Sequence, residues 1–193
     1  MSRANRPRDH ATTRRTSARR WAAFLVAPAI LVGIVVVSTL GDTEATGPAV
    51  AFPFELTSSD GQIVSLAQAL AGGDALLYFS MGVGCDGCFA QIPELEDAMR
   101  ARGLTLVPIM VDPAPLVAYE AARFGIDVPI LIDPGARVSA AYGMLGIYGH
   151  GDRPSHSFAL VRQSGEVAWV RHYAEMFVPA EVLFDEIDAF MGT

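Results

Sequence analysis

The sequence predicts an α/β domain whose central β-sheet, part parallel and part antiparallel, is covered by helices on both faces. Three apolar runs of strand length, residues 75–80, 104–111 and 128–132, are each followed by a segment with helical features. A hairpin-like pair of runs and an amphipathic segment close the chain. Alternating strands and helices favour parallel strand neighbours, and a terminal hairpin adds antiparallel ones.

The first half of the domain opens with a predicted hairpin. Residues 52–56 and 62–65 favour short strands on either side of a Ser/Asp/Gly turn. Residues 66–70 predict one helical turn, which a Gly-Gly pair ends. The uninterrupted apolar run at 75–80 is typical of a buried central strand.

The second half continues with predicted helices at 88–102, 116–124 and 136–142. Strands at 158–161 and 166–171 are predicted to form a hairpin across an Arg-Gln-Ser-Gly turn. The last helix is predicted to begin at Pro179. Its predicted buried face consists of Val182, Leu183, Phe184, Ile187 and Phe190.

The two cysteines of the chain, Cys85 and Cys88, lie where the strand at 75–80 meets the next helix. A thiol at the first turn of a helix meets unpaired N–H groups and the positive end of the helix dipole, and both favour a negative charge. Because the thiolate is the reactive form, Cys85 is a candidate nucleophile. Cys88, one turn further on, can close a disulfide with it.

A CxxC pair can also serve as a structural crosslink or as part of a metal site. As a structural crosslink, a loop of about four residues removes only about 2 kcal/mol of unfolded-chain entropy, against about 3 for a loop of about fifteen. As a metal site, the pair would need further ligands such as His150, His156 or His172, and no second CxxC is present. A redox dithiol is therefore the favoured interpretation, with no metal.

Charge divides the chain into a basic tail and an acidic body. Residues 1–20 hold seven arginines and one aspartate, whereas residues 41–193 hold seven arginines and twenty acidic residues. The acidic body repels nucleic acid, and no Gly-rich nucleotide loop follows a strand. We therefore expect no nucleic-acid partner.

Between the tail and the body, residues 21–40 form a run of twenty residues without a charge. That length lets a helix cross about 30 Å of hydrocarbon. Four arginines just before the run predict a cytoplasmic N-terminus by the positive-inside rule. We expect a single-pass anchor in the cell membrane, with the acidic body outside the cytoplasm.

A cleaved signal peptide is the alternative for this segment. Such peptides have an apolar region of about 7 to 15 residues that ends near a small-x-small site. Here the run is longer, and the best site, Ala49-Val50-Ala51, lies well beyond it. The sequence thus predicts a cytoplasmic tail at 1–20, an anchor at 21–40, a linker at 41–51 and one domain at 52–193.

The order of elements, with the CxxC between a buried strand and its helix, resembles the thioredoxin-like superfamily. Residues 85–95, CDGCFAQIPEL, resemble the C-x-x-C-x-x-E-x-P-x-L stretch of membrane-anchored thiol-disulfide oxidoreductases of the TlpA/ResA type. Residues 52–66 and 133–143 are similar to segments shared with the related redoxin and peroxiredoxin domains. The resemblance covers about three quarters of the chain, from residue 48 to 191.

This resemblance implies a thioredoxin-like fold and a dithiol/disulfide cycle without an organic cofactor. Cys85 would attack or receive a mixed disulfide, and Cys88 would resolve it. The partners implied are exported protein disulfides or dithiols and a membrane protein that donates electrons.

Three differences from the family pattern limit the resemblance. Gly84 stands where the family has Trp, and Asp86-Gly87 stands where it has a proline-containing pair. Because an acidic neighbour disfavours a thiolate, we expect Asp86 to make Cys85 less acidic and the Cys85/Cys88 dithiol–disulfide couple more reducing. The family's cis-proline facing the dithiol falls on Ser155, so Pro154 is either that proline after a local shift or a turn proline. Together with His156, these residues are the predicted substrate groove.

The third difference concerns peroxidase chemistry, which is the alternative function. Peroxiredoxins resemble P-x-x-x-T-x-x-C around the peroxidatic cysteine, but the corresponding places before Cys85 are Tyr78 and Gly82. In this alternative Cys85 attacks peroxide and Cys88 resolves. A non-enzymatic metal-binding protein is the less favoured third interpretation.

Overall fold

The computed structural model of the protein describes residues 48–191. The predicted tail at 1–20, the predicted anchor at 21–40 and residues 41–47 of the linker lie outside the described residues. Among the described residues, no helix has the length and apolar character to cross a bilayer.

Seven strands and five α-helices form the described domain. In chain order they are β1 Glu55–Ser58, β2 Ile63–Ser65, α1 Leu66–Ala69, β3 Ala75–Phe79, α2 Asp86–Ala101, β4 Thr105–Met110, α3 Ala114–Phe124, β5 Leu131–Ile132, α4 Arg137–Ala141, β6 His156–Val161, β7 Val167–Tyr173 and α5 Ala180–Met191. A 3-10 turn, Ile147–Gly149, interrupts the loop before β6.

The strands form one mixed sheet in the order β2-β1-β5-β4-β3-β6-β7. β4 pairs in parallel with β3 and with β5, whereas β6 pairs antiparallel with β3 and with β7. β3 therefore lies inside the sheet between a parallel and an antiparallel neighbour. The predicted mixed sheet is confirmed.

Helices cover both faces of this sheet. The five residues of β3 alternate between the faces and are fully buried. Leu77 and Phe79 share one apolar cluster with residues of α1 and α4. Leu76 and Tyr78 share the other cluster with residues of α2, α3 and α5. A strand that packs on both sides explains why its sequence is uniformly apolar.

Several predicted boundaries were wrong. β5 has two residues where five were predicted, and β6 begins at His156 rather than at Phe158. His156 and Ser157 are polar, so the apolar pattern hid their place in a strand. On α5, Leu183, Phe184 and Ile187 are buried as predicted, but Val182 is 43% and Phe190 39% exposed.

The start of α4 depends on a buried carboxylate. Ala136, at the N-cap, has left-handed backbone and its side chain caps nothing. Asp133 supplies the cap instead, because its carboxylate accepts hydrogen bonds from the N–H groups of Val138 and Ser139, at 3.1 and 2.8 Å, and from the Ser139 hydroxyl at 2.8 Å. These contacts satisfy N–H groups that the first turn leaves unpaired.

We predict that Asp133→Ala lowers the free energy of unfolding by about 2 to 4 kcal/mol, because it removes a charged acceptor from buried donors. Urea unfolding followed by circular dichroism measures the change. The exposed Asp127 provides the control, since Asp127→Ala is expected to change stability by less than about 0.5 kcal/mol. A similar small effect for Asp133→Ala would show that α4 does not need this cap.

Candidate active site

Cys85 and Cys88 lie at the N-terminus of α2 and form a disulfide. Cys85 is the N-cap residue, and its Sγ accepts a hydrogen bond from the Cys88 N–H at 3.2 Å. The predicted position of Cys85 at a helix end is confirmed.

The two sulfur-bearing residues differ in access to solvent. Cys85 is 5% exposed, whereas Cys88 is fully buried under the helix. A reagent from outside therefore reaches Cys85 first, and Cys88 is placed to react with what Cys85 has bound. The attacking role of Cys85 and the resolving role of Cys88 stay predictions.

An ion pair clamps the loop that leads into Cys85. Asp112, just after β4, accepts a hydrogen bond from the Val83 N–H at 2.9 Å and contacts Arg153 at 2.6 Å. Arg153 also donates to the Met81 carbonyl, at 3.1 Å from Nε and 2.7 Å from Nη2. These contacts join the segments that follow β3 and β4 to the Gly-rich loop before β6, residues 143–154.

Gly82 is required inside this clamp. A Cβ at this position would lie 2.0 Å from Asp112 Oδ2, and the backbone φ is +81°. The Gly82 carbonyl accepts a hydrogen bond from the Cys85 N–H at 3.1 Å. The clamp thus fixes the backbone of the reactive cysteine. Asp112 and Arg153 were missed in the sequence, where neither belongs to a local motif.

Gly87, inside the CxxC, is covered by the segment that follows β7. A Cβ on Gly87 would come within 2.7 Å of the Met176 carbonyl oxygen. Two hydrogen bonds hold that segment on α2, from the Val178 N–H to Gln91 at 2.7 Å and from the Ala180 N–H to Glu94 at 2.8 Å. The close backbone approach accounts for the glycine at position 87, the second of the two residues between the cysteines.

Asp86 has a partner that sequence reasoning did not foresee. Its carboxylate forms an ion pair with Arg123 of α3, and this bond lowers the pKa of Asp86. Asp86 is therefore charged, but a cation lies beside it. The expected effect of Asp86 on Cys85 is reduced by that cation, and the predicted more reducing couple stays a prediction.

The side chains of the predicted substrate groove, Pro154, Ser155 and His156, are all buried. All peptide bonds of the described residues are trans, so of the two alternatives for Pro154 the turn proline agrees with the structure. The Ser155 hydroxyl bonds to Ser157, which bonds to His172 Nδ1, each at 2.8 Å. The structure brings this segment next to the CxxC loop through Arg153, and a groove role stays a prediction.

His156 is neither solvated nor directed at a ligand. Its Nδ1 lies 3.0 Å from the Tyr78 hydroxyl and its Nε2 3.2 Å from Gln91 Oε1. Burial lowers the pKa of His156 to about 3, so the ring is neutral at neutral pH. Both ring nitrogens are occupied, which counts against His156 as a metal ligand. Within the described ranges, no group of three or more His, Cys, Asp or Glu residues is arranged to hold a metal ion.

A family model described as Redoxin matches residues 43–176. The chain belongs to the Redoxin family. The thioredoxin-like sheet and the helices on both faces of this Redoxin domain agree with the resemblance seen in its sequence.

Two curated relatives represent two kinds of thiol chemistry. A Mycobacterium tuberculosis protein with a provisional peroxiredoxin name is 33% identical over 97 residues, 48% of this chain and 60% of the relative. Thiol-disulfide oxidoreductase ResA of Halalkalibacterium halodurans is 27% identical over 121 residues, 61% of this chain and 63% of the relative. This Redoxin chain thus spans about three fifths of the length of each relative.

A solved structure confirms the fold alone. Peroxidoxin BcpB from Mycobacterium tuberculosis superposes with a TM-score of 0.63 at 21% identity, covering 78% of this chain and 98% of BcpB. At that identity the likeness does not identify a reaction.

The buried His156 predicts how stability depends on pH. In the unfolded chain a histidine binds a proton below about pH 6.5, but folded His156 does not until about pH 3. Stability should therefore fall as the pH falls through this window, by about 2 kcal/mol between about pH 7 and about pH 5. Burial also lowers the pKa of His172, which adds a loss of the same sign.

We predict that His156→Leu flattens this pH dependence, as measured by urea unfolding at several pH values. Tyr142→Phe removes another buried group that does not titrate at acid pH, so that control should keep the wild-type slope. An unchanged slope in His156→Leu would contradict the buried, neutral state of His156.

Proposed function

We propose that this Redoxin protein is a membrane-anchored, extracytoplasmic thiol-disulfide oxidoreductase that cycles Cys85 and Cys88 between disulfide and dithiol with protein clients. One observation supports it most: a disulfide at the N-terminus of α2, in which Cys85 is the N-cap residue and keeps 5% of its surface exposed, whereas Cys88 has none. A structural crosslink gains nothing from that placement, whereas exchange chemistry needs it.

In the reducing direction, the Cys85 thiolate attacks a client disulfide and forms a mixed disulfide, and one client sulfur leaves as a thiolate. The helix N-terminus and the Cys88 N–H favour the attacking thiolate. Cys88 then attacks the Cys85 sulfur, and the second client thiolate leaves. Two electrons pass to the client, which ends as a dithiol, and the protein ends as the Cys85–Cys88 disulfide.

The anchor and the location rest on the sequence outside the described residues. The uncharged run at 21–40, preceded by arginines, supports one crossing with the body on the outer side. Outside the cytoplasm a dithiol needs a dedicated donor to stay reduced. By resemblance, that donor is a membrane protein that passes reducing equivalents across, and no organic cofactor takes part.

Thiol peroxidase activity is the second candidate, and the peroxiredoxin-named relative favours it. The Cys85 thiolate would attack a peroxide, giving a sulfenic acid and an alcohol or water, and Cys88 would then form the disulfide and release water. Gly82 and Tyr78 occupy the places of the threonine and proline that peroxiredoxins use. Gly82 has no hydroxyl to offer a peroxide and Tyr78 is not a proline, so we place this function second.

The test uses Cys88→Ser in the full chain, which keeps the attacking sulfur and removes the resolving one. We predict that it accumulates mixed disulfides with exported proteins in cells, whereas Cys85→Ser does not, as seen by non-reducing gels and mass spectrometry. Purified Cys88→Ser should form sulfenic acid only slowly with stoichiometric peroxide. Fast sulfenic acid without mixed disulfides would favour the peroxidase, and cytoplasmic clients would contradict the location.

A further inference from the structure

A chain of buried polar groups connects Cys88 to the segment that covers the CxxC. Tyr78 Oη lies 3.1 Å from the Cys88 carbonyl oxygen and 3.0 Å from His156 Nδ1. His156 Nε2 lies 3.2 Å from Gln91 Oε1, which also accepts the Val178 N–H at 2.7 Å. Tyr78, Cys88, Gln91 and His156 have no exposed surface. Their hydrogen bonds offset the cost of burying them, although the Gln91 amide nitrogen has no hydrogen-bond partner among the described residues.

The hydrogen positions follow from the Val178 N–H, which can only donate. It fixes the oxygen of the Gln91 amide at the shared position, and that oxygen can only accept. His156 Nε2 must then carry a hydrogen to bond to it. Since the ring is neutral, Nδ1 is an acceptor.

Tyr78 therefore has one hydroxyl hydrogen and two acceptors for it, and the buried Ser80 hydroxyl is a further neighbour that interacts with its oxygen. The Cys88 carbonyl and His156 Nδ1 lie at nearly equal distances from its oxygen, and only one of them receives the hydrogen at a time. His156 thus competes with Cys88 for the hydroxyl of Tyr78.

Cys88 links the Tyr78 hydroxyl to the sulfur of Cys85. Its carbonyl accepts from Tyr78, while its N–H is shared between Cys85 Sγ at 3.2 Å and the Cys85 carbonyl oxygen at 3.1 Å. Both groups belong to the first turn of α2, so a shift of the carbonyl moves the donor on which the Cys85 thiolate depends. Tyr78 keeps its ring in place by stacking on Phe158 at 4.8 Å, which leaves the hydroxyl as the variable part.

We propose that Tyr78 and His156 are positioning residues for Cys85: the Tyr78 hydroxyl holds the first turn of α2 through the Cys88 carbonyl, and His156 competes for the hydroxyl hydrogen. This role rests on the proposed function, in which Cys85 is the nucleophile. Neither residue touches the reacting sulfur.

The test measures the thiolate fraction of Cys85 in the reduced full chain, by ultraviolet absorbance against pH. Tyr78→Phe removes the hydroxyl and keeps the stacked ring, and we expect about a threefold lower thiolate fraction at neutral pH, the effect of losing one hydrogen bond. His156→Leu removes the competitor and leaves Gln91 bonded to Val178. Its thiolate fraction should equal or exceed that of the wild type.

Tyr142→Phe is the matched control. Tyr142 is also buried and donates to a backbone carbonyl, that of Phe52 at 3.3 Å, but it belongs to the cluster on the other face of the sheet. It should lower stability without changing the Cys85 thiolate. A wild-type thiolate fraction in Tyr78→Phe, or a fall in His156→Leu, overturns the proposal.

The wild-type protein gives an independent test that needs no variant. NMR nitrogen shifts of the imidazole should show His156 neutral with its hydrogen on Nε2, and a hydrogen on Nδ1 at neutral pH overturns the proposal. Failure of the exchange function is distinguishable, because it appears as absent mixed disulfides in Cys88→Ser. If those form and the thiolate is unchanged by Tyr78→Phe, only the positioning role fails.

Discussion

The Cys88 N–H, shared between Cys85 Sγ at 3.2 Å and the Cys85 carbonyl at 3.1 Å in the disulfide state, is the donor on which the rest of the site depends once Cys85 becomes a thiolate. A hydrogen bond to a charged acceptor contributes about 1.5 to 3 kcal/mol, whereas the dipole of an exposed helix end contributes about 0.3 to 1. For the Cys85 thiolate the placement of this one donor therefore matters more than the helix as a whole. A small displacement of the first turn of α2 is therefore expected to change the stability of the Cys85 thiolate without altering the fold.

The surrounding structure restrains that turn from three directions. On the side of the preceding loop, Asp112 and Arg153 hold the backbone that delivers Cys85. Beneath the turn, Tyr78 holds the Cys88 carbonyl. Above it, the Met176 carbonyl lies against Gly87, and Gln91 anchors the same segment.

These restraints explain two of the glycines near the dithiol. Gly82 and Gly87 each make room for an oxygen atom of a distant residue, so a side chain at either place would displace the loop or the covering segment. The two residues between the cysteines, Asp86 and Gly87, thus contact different parts of the structure. Asp86 forms an ion pair with Arg123 on α3, and Gly87 leaves room for the backbone of the segment after β7.

Much of the fold could be predicted because most of its strands and helices have recognisable local sequence patterns. β3 is a strand with both faces buried, so its apolar run identified it, and the CxxC at its end located α2. The site contacts could not be predicted, because Asp112, Arg153 and Arg123 meet the CxxC region across long stretches of sequence. The predicted strand at 158–161 left out His156, because the sequence does not distinguish a polar residue that is hydrogen-bonded inside a core from one in water.

Reversible opening of the Cys85–Cys88 disulfide can be measured by a redox titration of the full chain in detergent. The protein is equilibrated with thiol buffers of graded potential, and the free thiols are alkylated and counted by mass spectrometry. The account predicts one two-electron transition in which the Cys85 and Cys88 thiols appear together, at a potential above about −300 mV. A disulfide that stays oxidised below that value would be a structural crosslink, and the account would be wrong.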